Sequence, residues 1–570
     1  MQTPDRITTE QINDVPLLLG IIEQMGIRDL IDSHVKVHGS WQGASVGTLV
    51  SVWLCCLLST RDHRLVAVRD WAFERRHTLD TLLGVSLRET DCTDDRLANV
   101  LGMLGEEATQ QALDQAMVSQ WLSVYALPTR RLRLDSTSVS VYHRQREDES
   151  LLQFGQSKDH RPDLSQFKSM LASLDPLGMP VCVQTVAGNA ADDGLYVPAY
   201  QAAVRTLGTS DLLVVGDCKM GALGTRAQIA RNGSRYLCVY RPPSATEQIA
   251  GWIEGALARK ERALRMYGPV DARTREPRLQ ASVEEWERPQ SWTDPDTGEE
   301  YRWTERVLLV HSQAYQAGHR KRLEGKLACL REQLKKLRLP PKRGRKGYLS
   351  EADLAAVVTK RLQAAGLEGV VGVRCEPHEQ AGKTYWLVTD IAVDALAFEA
   401  KMARLGWQVY VTNATPEEYA TADLVHVYSQ QPIQERGFSR LKTRTLRVRP
   451  VYLRDEQRIG GLMWLLCLAL RVLTLTEWRL RGALSERNEQ IVGLNPASRT
   501  QPSANPTTER VLAAFGNLTW TRLHFSQGQR GYVSPLTPTQ RHVLQLLKLP
   551  ADLYDRLAHC HDNFTPILRE

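Results

Sequence analysis

The chain has 570 residues, 42% of them hydrophobic and 24% charged, with a formal net charge of +7. That length and balance exclude a disordered chain and predict three or four packed domains, and so mild a positive charge does not by itself select a nucleic-acid partner. No N-terminal stretch has the order of a signal peptide, and the longest nearly uncharged apolar run, Ile459 to Leu470, is stopped by Arg471 short of a bilayer's thickness, so a cytoplasmic protein without a membrane partner is expected.

Residues 1–128 read as helical: "VPLLLGIIEQMGIRDLID" has helix periodicity, "VGTLVSVWLCCLLST" reads as a buried helix, and Asp94 is expected to cap "DRLANVLGML". At Arg131 the texture changes. "RLRLDSTSVSVY" reads as a strand, "FKSMLASLDPLGMPVCVQTVAG" as two strands joined at the Asp175–Gly178 turn, "VPAYQAAVRTL" as a helix, and the unbroken apolar run in "DLLVVGDCKMG" as a strand buried on both faces. "SRYLCVYRP" adds a further strand, and the whole fits a mixed α/β sheet.

From 243 to 384 the composition is more charged. "EEWERPQSW" and "YRWTERVLLVHS" read as strands, and Leu323, Leu327, Leu330, Leu334 and Leu337 mark a short heptad helix ended by Pro340 and Pro341, which packs on its own domain or on a second copy. The basic tract "PKRGRKG" reads as an exposed loop. Strand-like "TYWLVTD", helical "DALAFEAKMARLG" and strand-like "WQVYVTN" follow, so the intervening segment is read as an insertion splitting an α/β domain. In "YSQQPIQERGFSRLK", a helix is expected to begin near Gln431, since Pro432 is tolerated in a first turn, with Tyr428 just before it. Tyr428, Gln431, Glu435 and Lys442 then share one polar stripe. Arg436, Arg440, Lys442, Arg444, Arg447, Arg449 and Arg454 make an acid-free basic run that suits a polyanionic substrate. The tail from Asp455 begins with an apolar helix and continues as mixed helices and loops.

Three acids stand at informative places: Asp135 in the first strand, Asp217 at the end of the buried strand, and Glu435 on the helix beyond the insertion. Ligands of open α/β sheets collect beyond the carboxyl ends of strands, and two aspartates with a glutamate suit hard Mg²⁺ or Mn²⁺ ions. Taken singly, each has an ordinary reading as a strand-end hydrogen-bonding group, a helix cap or a surface charge. Other chemistries lack support: there is no GxxxxGK[ST], GxGxxG or GxSxG motif and no Cys-x-x-Cys pair, the ten cysteines read as buried thiols, and the setting of Cys218 fits packing. His559, Cys560 and His561 form a compact group with no second ligand pair at zinc-finger spacing.

The pattern resembles the DDE transposases of bacterial insertion sequences, in the insertion-sequence-four-like group whose glutamate helix reads tyrosine, two residues, arginine, three residues, glutamate, six residues, lysine. Tyr428, Glu435 and Lys442 fit every spacing, and Gln431 replaces the arginine. "FGQSKDHRPDLSQFK", "VVGDCKMGALGTRA" and "RTLRVRPVYLRDEQRIGGLMWLLCLAL" extend the likeness over most of the chain.

The resemblance implies an RNase H-like mixed-sheet catalytic core (129–242 and 385–454) split by an α+β insertion (243–384), between a helical N-terminal domain (1–128) that is a candidate for binding DNA ends and a mostly helical C-terminal region (455–570). It implies two Mg²⁺ or Mn²⁺ ions held by Asp135, Asp217 and Glu435, and DNA contacts from Tyr428, Gln431, Arg436, Arg440 and Lys442. The expected reaction is hydrolysis at the element's terminal inverted repeats, then attack of the freed 3′-hydroxyl on target DNA by a homodimer. The alternatives are a nuclease that cuts without joining and a transposase-derived DNA binder without catalysis.

Overall fold

The change of texture at Arg131 marks the start of the central sheet, which holds Asp135 in one strand and Asp217 just past another. The computed structural model describes residues 4–143, 151–259, 264–270, 277–342, 347–495, 498, 500–526 and 528–559. The chain divides into two units, one built from residues 1–237 and 426–570, the other from 238–425. Cys560, His561 and residues 343–346 of the basic tract lie outside the described residues.

The first unit opens with β1 (Arg6–Gln11) and seven helices from Val15–Gln24 to Glu107–Tyr125. Asp94 is the first residue of its helix, and Thr93 occupies the cap position, so the acid contributes first-turn charge instead of a cap. The sheet follows: β2 (Arg131–Ser140), β3 (Gln166–Leu174), β4 (Met179–Ala187), β5 (Leu213–Gly216) and β6 (Arg235–Val239), in the order β4-β3-β2-β5-β6. β2, β3 and β4 are antiparallel neighbours, and β5 runs parallel to β2. The turn from β3 to β4 passes through Gly178 at φ 71°, where a side chain would press on Ile433.

In the second unit β7 (Leu264–Val270), β8 (Pro277–Thr293), β9 (Glu300–Ser312) and β12 (Trp407–Thr412) lie in the order β12-β9-β8-β7, and β10 (Val371–Gln380) pairs with β11 (Lys383–Val393). The leucine-repeat helix Gln313–Lys335 buries Leu323, Leu330 and Leu334, with Leu337 just beyond it, in a core shared with Leu354, Val371 and Met402. The repeat therefore packs within its own unit.

The first unit resumes at His426, within the helix Thr421–Ser429, and continues with Pro432–Ser439, a wider π turn over Arg440–Arg444, and the helix Glu456–Arg487. By length and composition that last helix could cross a membrane, but 94% of its apolar window is buried inside the unit. It continues through Arg471 because the guanidinium is paired with Asp114 at 2.7 Å and donates to the carbonyls of Pro180 and Val181. β13 (Thr519–Phe525) and β14 (Gly528–Val533) form a hairpin to which β1 adds antiparallel, so neither terminal region is purely helical. Cys218 and Cys329 are exposed where the sequence suggested buried thiols.

Candidate active site

The parallel β2–β5 ladder ends at the pair Leu134 and Gly216. Asp135, within β2, and Asp217, just past β5, are the next residues of the two chains, so the two carboxylates leave neighbouring strands whose backbones lie about 5 Å apart. A β-carbon at Gly216 would stand 2.6 Å from Met220 Sδ, so the Met220 side chain packs where only glycine leaves room for it.

Asp217 Oδ1 accepts from the Tyr196 hydroxyl at 2.6 Å and from the Lys219 amide at 2.8 Å. Burial and the two aspartates drive the Tyr196 phenol upward, so it serves as a neutral donor. Asp135 Oδ1 accepts from the Ser136 amide at 2.7 Å, with Lys158 Nζ 3.6 Å away. Its carboxyl is pushed up to about 6, mainly by burial; the Lys158 ammonium opposes the shift and the Asp217 charge adds to it.

Arg133, Asp135 and Thr137 share one face of β2 because side chains alternate along a strand. The glutamate helix is fastened on both sides of Asp135. At one end Arg133 donates to Gln431 Oε1 at 3.1 Å and to the Val427 carbonyl at 2.5 Å, while its guanidinium pairs with Asp175 at 2.8 Å. At the other end Lys442 Nζ donates to Thr137 Oγ1 at 3.0 Å. Between them, Gln434 Nε2 reaches the carbonyl of Leu171, the residue paired with Asp135 across the sheet. Glu435 lies within this bracket on the exposed side of the helix.

Pro432 begins the helix as expected, but Tyr428 sits in the last turn of the preceding helix, half-buried and near enough to Arg133 to interact with its charge. The π turn rotates Lys442 away from the stripe expected of one α-helix. The structure thus brings Asp135 and Asp217 together and ties the helix that carries Glu435 to the strand that carries Asp135. Among the described residues no three His, Cys, Asp or Glu side chains converge closely enough to hold a metal ion. Two hard carboxylates on neighbouring strands, one with its pKa raised by burial and by the other's charge, form a donor pair suited to a divalent cation.

The family model described as "Transposase DDE domain" matches residues 127–472, more than half of the chain. The chain belongs to the DDE transposase family. A second model, described as "Domain of unknown function (DUF4277)", matches residues 7–117 of the transposase. No curated protein matches it. Among solved structures it is similar to a piggyBac transposase synaptic complex with hairpin DNA, at 8% identity and TM-score 0.31, covering 88% of this chain and 79% of that one, a likeness too slight to argue from.

Of the transposase's remaining candidate residues, Arg440 is buried between Glu477 and Glu509, its Nε 2.8 Å from Glu509 Oε1. Its guanidinium is committed to packing the helix, which withdraws it from the expected DNA contacts. Gln431 is likewise engaged, by Arg133. Arg436 touches Glu477 at 3.3 Å yet is exposed, and Arg444, Arg447 and Arg454 are exposed beyond it. Sequence reasoning missed Arg133, Lys158, Asp159 and Tyr196. "SKDH" was visible as a motif, but nothing local to Arg133 or Tyr196 announced a partner.

Proposed function

We propose that this DDE transposase cuts DNA at the ends of its mobile element and joins the freed 3′-hydroxyl to target DNA, with Asp135, Asp217 and Glu435 holding two Mg²⁺ or Mn²⁺ ions. The observation that carries this reading is that Asp135 and Asp217 lie on neighbouring parallel strands while the helix bearing Glu435 is tied to β2 on both sides of Asp135 by the Arg133–Gln431 and Thr137–Lys442 contacts. When bound, the ions would activate the attacking oxygen and stabilise the leaving one in an in-line displacement, which suits water and a DNA hydroxyl equally. The protein's own part is to fix three carboxylates on a strand, a strand end and a helix. Lys442 and Tyr428 position the backbone, and exposed Arg436, Arg444, Arg447 and Arg454 line its approach, since phosphate contacts set register without reading sequence.

The five-stranded order β4-β3-β2-β5-β6, with one acid in β2 and one just past β5, supports an RNase H-like core, with 238–425 inserted before the glutamate helix. The Tyr428, Glu435 and Lys442 spacing supports placement in the insertion-sequence-four-like group. We place the active form as a homodimer on two DNA ends, in the bacterial cytoplasm on the nucleoid.

The test is metal-dependent cleavage and joining of DNA carrying the gene's flanking ends, by wild type and Glu435→Gln. Nicking and joining by wild type, abolished in the variant with end binding retained, is the expected result. Equal activity of the two proteins would remove Glu435 from the site, cutting without joining would select the nuclease reading, and binding without cutting by wild type would select the DNA-binder reading.

A further inference from the structure

The segment 151–165 between β2 and β3 contains a sequence block near Asp135 to which the proposed chemistry gives no role. It lies beside the stretch of β2 beyond its last pair with β5. One bond fixes its backbone there, the Lys158 amide donating to Ser138 Oγ at 2.9 Å, and the Asp159 amide closes a local turn on Ser157 Oγ at 3.2 Å. From this fixed dipeptide two opposite charges reach two parts of the site. Lys158 Nζ donates to the Ser136 carbonyl at 2.6 Å and to Ser136 Oγ at 2.9 Å, beside Asp135. Asp159 Oδ1 accepts from Lys442 Nζ at 2.6 Å, and Asp159 Oδ2 accepts from Arg449 Nη1 at 3.1 Å.

Asp159 thus spends both oxygens on two cations that follow the glutamate helix, one on each. Lysine is a point charge on a flexible stem, and two like charges held close repel. An anion between Lys442 and Arg449 cancels that repulsion and sets their spacing. Lys442 is further pinned to Thr137, two residues along the strand from Asp135. Burial of Lys442 pulls its pKa down, and contact with Asp159 opposes this, so the same contact favours the charged form.

We propose that Asp159 is a positioning residue that holds Lys442 and Arg449 as a paired clamp for one DNA phosphate beside Asp135. This rests on the reaction proposed above and assigns the clamp to that same site. Asp159 touches neither DNA nor the reacting atoms; it acts through the two cations.

The experiment uses the full-length protein and duplex DNA carrying the gene's flanking ends with Mg²⁺. It compares wild type, Asp159→Asn, Asp159→Glu, Arg449→Gln, Lys442→Met and the Asp159→Asn/Lys442→Met pair. Cleavage is measured at saturating protein, alongside end affinity as a function of salt and the thermal midpoint. The expected result is that Asp159→Asn slows cleavage by about tenfold or more while end affinity stays within about threefold, because misplacing a backbone contact costs rate more than binding. Arg449→Gln should slow cleavage similarly, Asp159→Glu should recover part of it, and Lys442→Met should add little in the Asp159→Asn background. Cleavage by Asp159→Asn at or above the wild-type rate would overturn the proposal and make Asp159 a mask over the cations. Parallel losses of cleavage, affinity and thermal midpoint, additive with Lys442→Met, would reduce it to fold support. Wild type that binds but does not cut overturns the reaction itself and this clamp with it, whereas a cutting wild type with an unaffected Asp159→Asn overturns the clamp alone.

Discussion

The carboxyl of Asp135 is pushed up to about 6 chiefly by burial, above the unfolded value near 3.8, so its ionised form is held at a cost to the fold. Through this group wild-type stability falls as pH rises from about 4 to about 6 and levels off above that. Asp135→Asn removes the cost. We expect the variant to lose cleavage yet unfold at a higher temperature than metal-free wild type at pH 7, by on the order of 1–3 kcal/mol, with the gain vanishing below about pH 4. Thermal scans at both pH values check it, and an unchanged difference between them would contradict the assigned electrostatics. Asp135 and Asp217 were legible in the sequence because an acid in or at the end of an apolar strand is locally conspicuous. Arg133 was not, because its partner Gln431 lies 298 positions away and a lone arginine in an alternating strand reads as a surface residue. Arg440 was misread for the converse reason: a basic run looks uniformly solvated until Glu477 and Glu509 fold onto one member.

For single elements, local punctuation was readable and long-range pairing was not. Pro432 announced the start of the glutamate helix, the Asp175–Gly178 turn announced the hairpin, and periodicity found the leucine helix. The π turn had no such signal, since its extra residue per turn reflects packing around Leu441 and Arg440, both buried. β1 escaped notice because "RITTEQ" is mostly polar and its partner β13 comes from the other end of the chain. Arg133 caps the Val427 carbonyl and grips Gln431, so it sets where the helix begins relative to Asp135. Arg133→Lys keeps a charge for Asp175 but cannot span all three partners. Cleavage at saturating protein should fall by about tenfold to a hundredfold with DNA binding retained, and Gln431→Ala should cost less because the Val427 contact survives. Equal effects from the two substitutions would locate the anchor elsewhere.

Across the first unit, the helix Glu456–Arg487 packs between the N-terminal helices and the sheet, and one buried arginine bonds to both. Arg471 reaches Asp114 on one side and the β4 carbonyls of Pro180 and Val181 on the other. Arg471→Met leaves the Asp114 carboxylate buried without its partner, and the expected loss is about 3–5 kcal/mol, read from the denaturant midpoint. Adding Asp114→Leu should recover much of it, and a double variant no better than the single would show that the carbonyl contacts matter more. The first unit is also assembled from two stretches of chain, 1–237 and 426–570. During synthesis the two aspartates emerge first and the glutamate follows roughly 200 residues later, a delay of about 10–40 s at ordinary elongation rates. On the proposed triad, a nascent chain can form most of its sheet while remaining unable to cut, and a ribosome that stalls in that interval releases a product without Glu435, Lys442 or Arg449. On that proposal, emergence of the glutamate helix arms the nascent chain, and a truncation short of residue 435 is expected to be inactive.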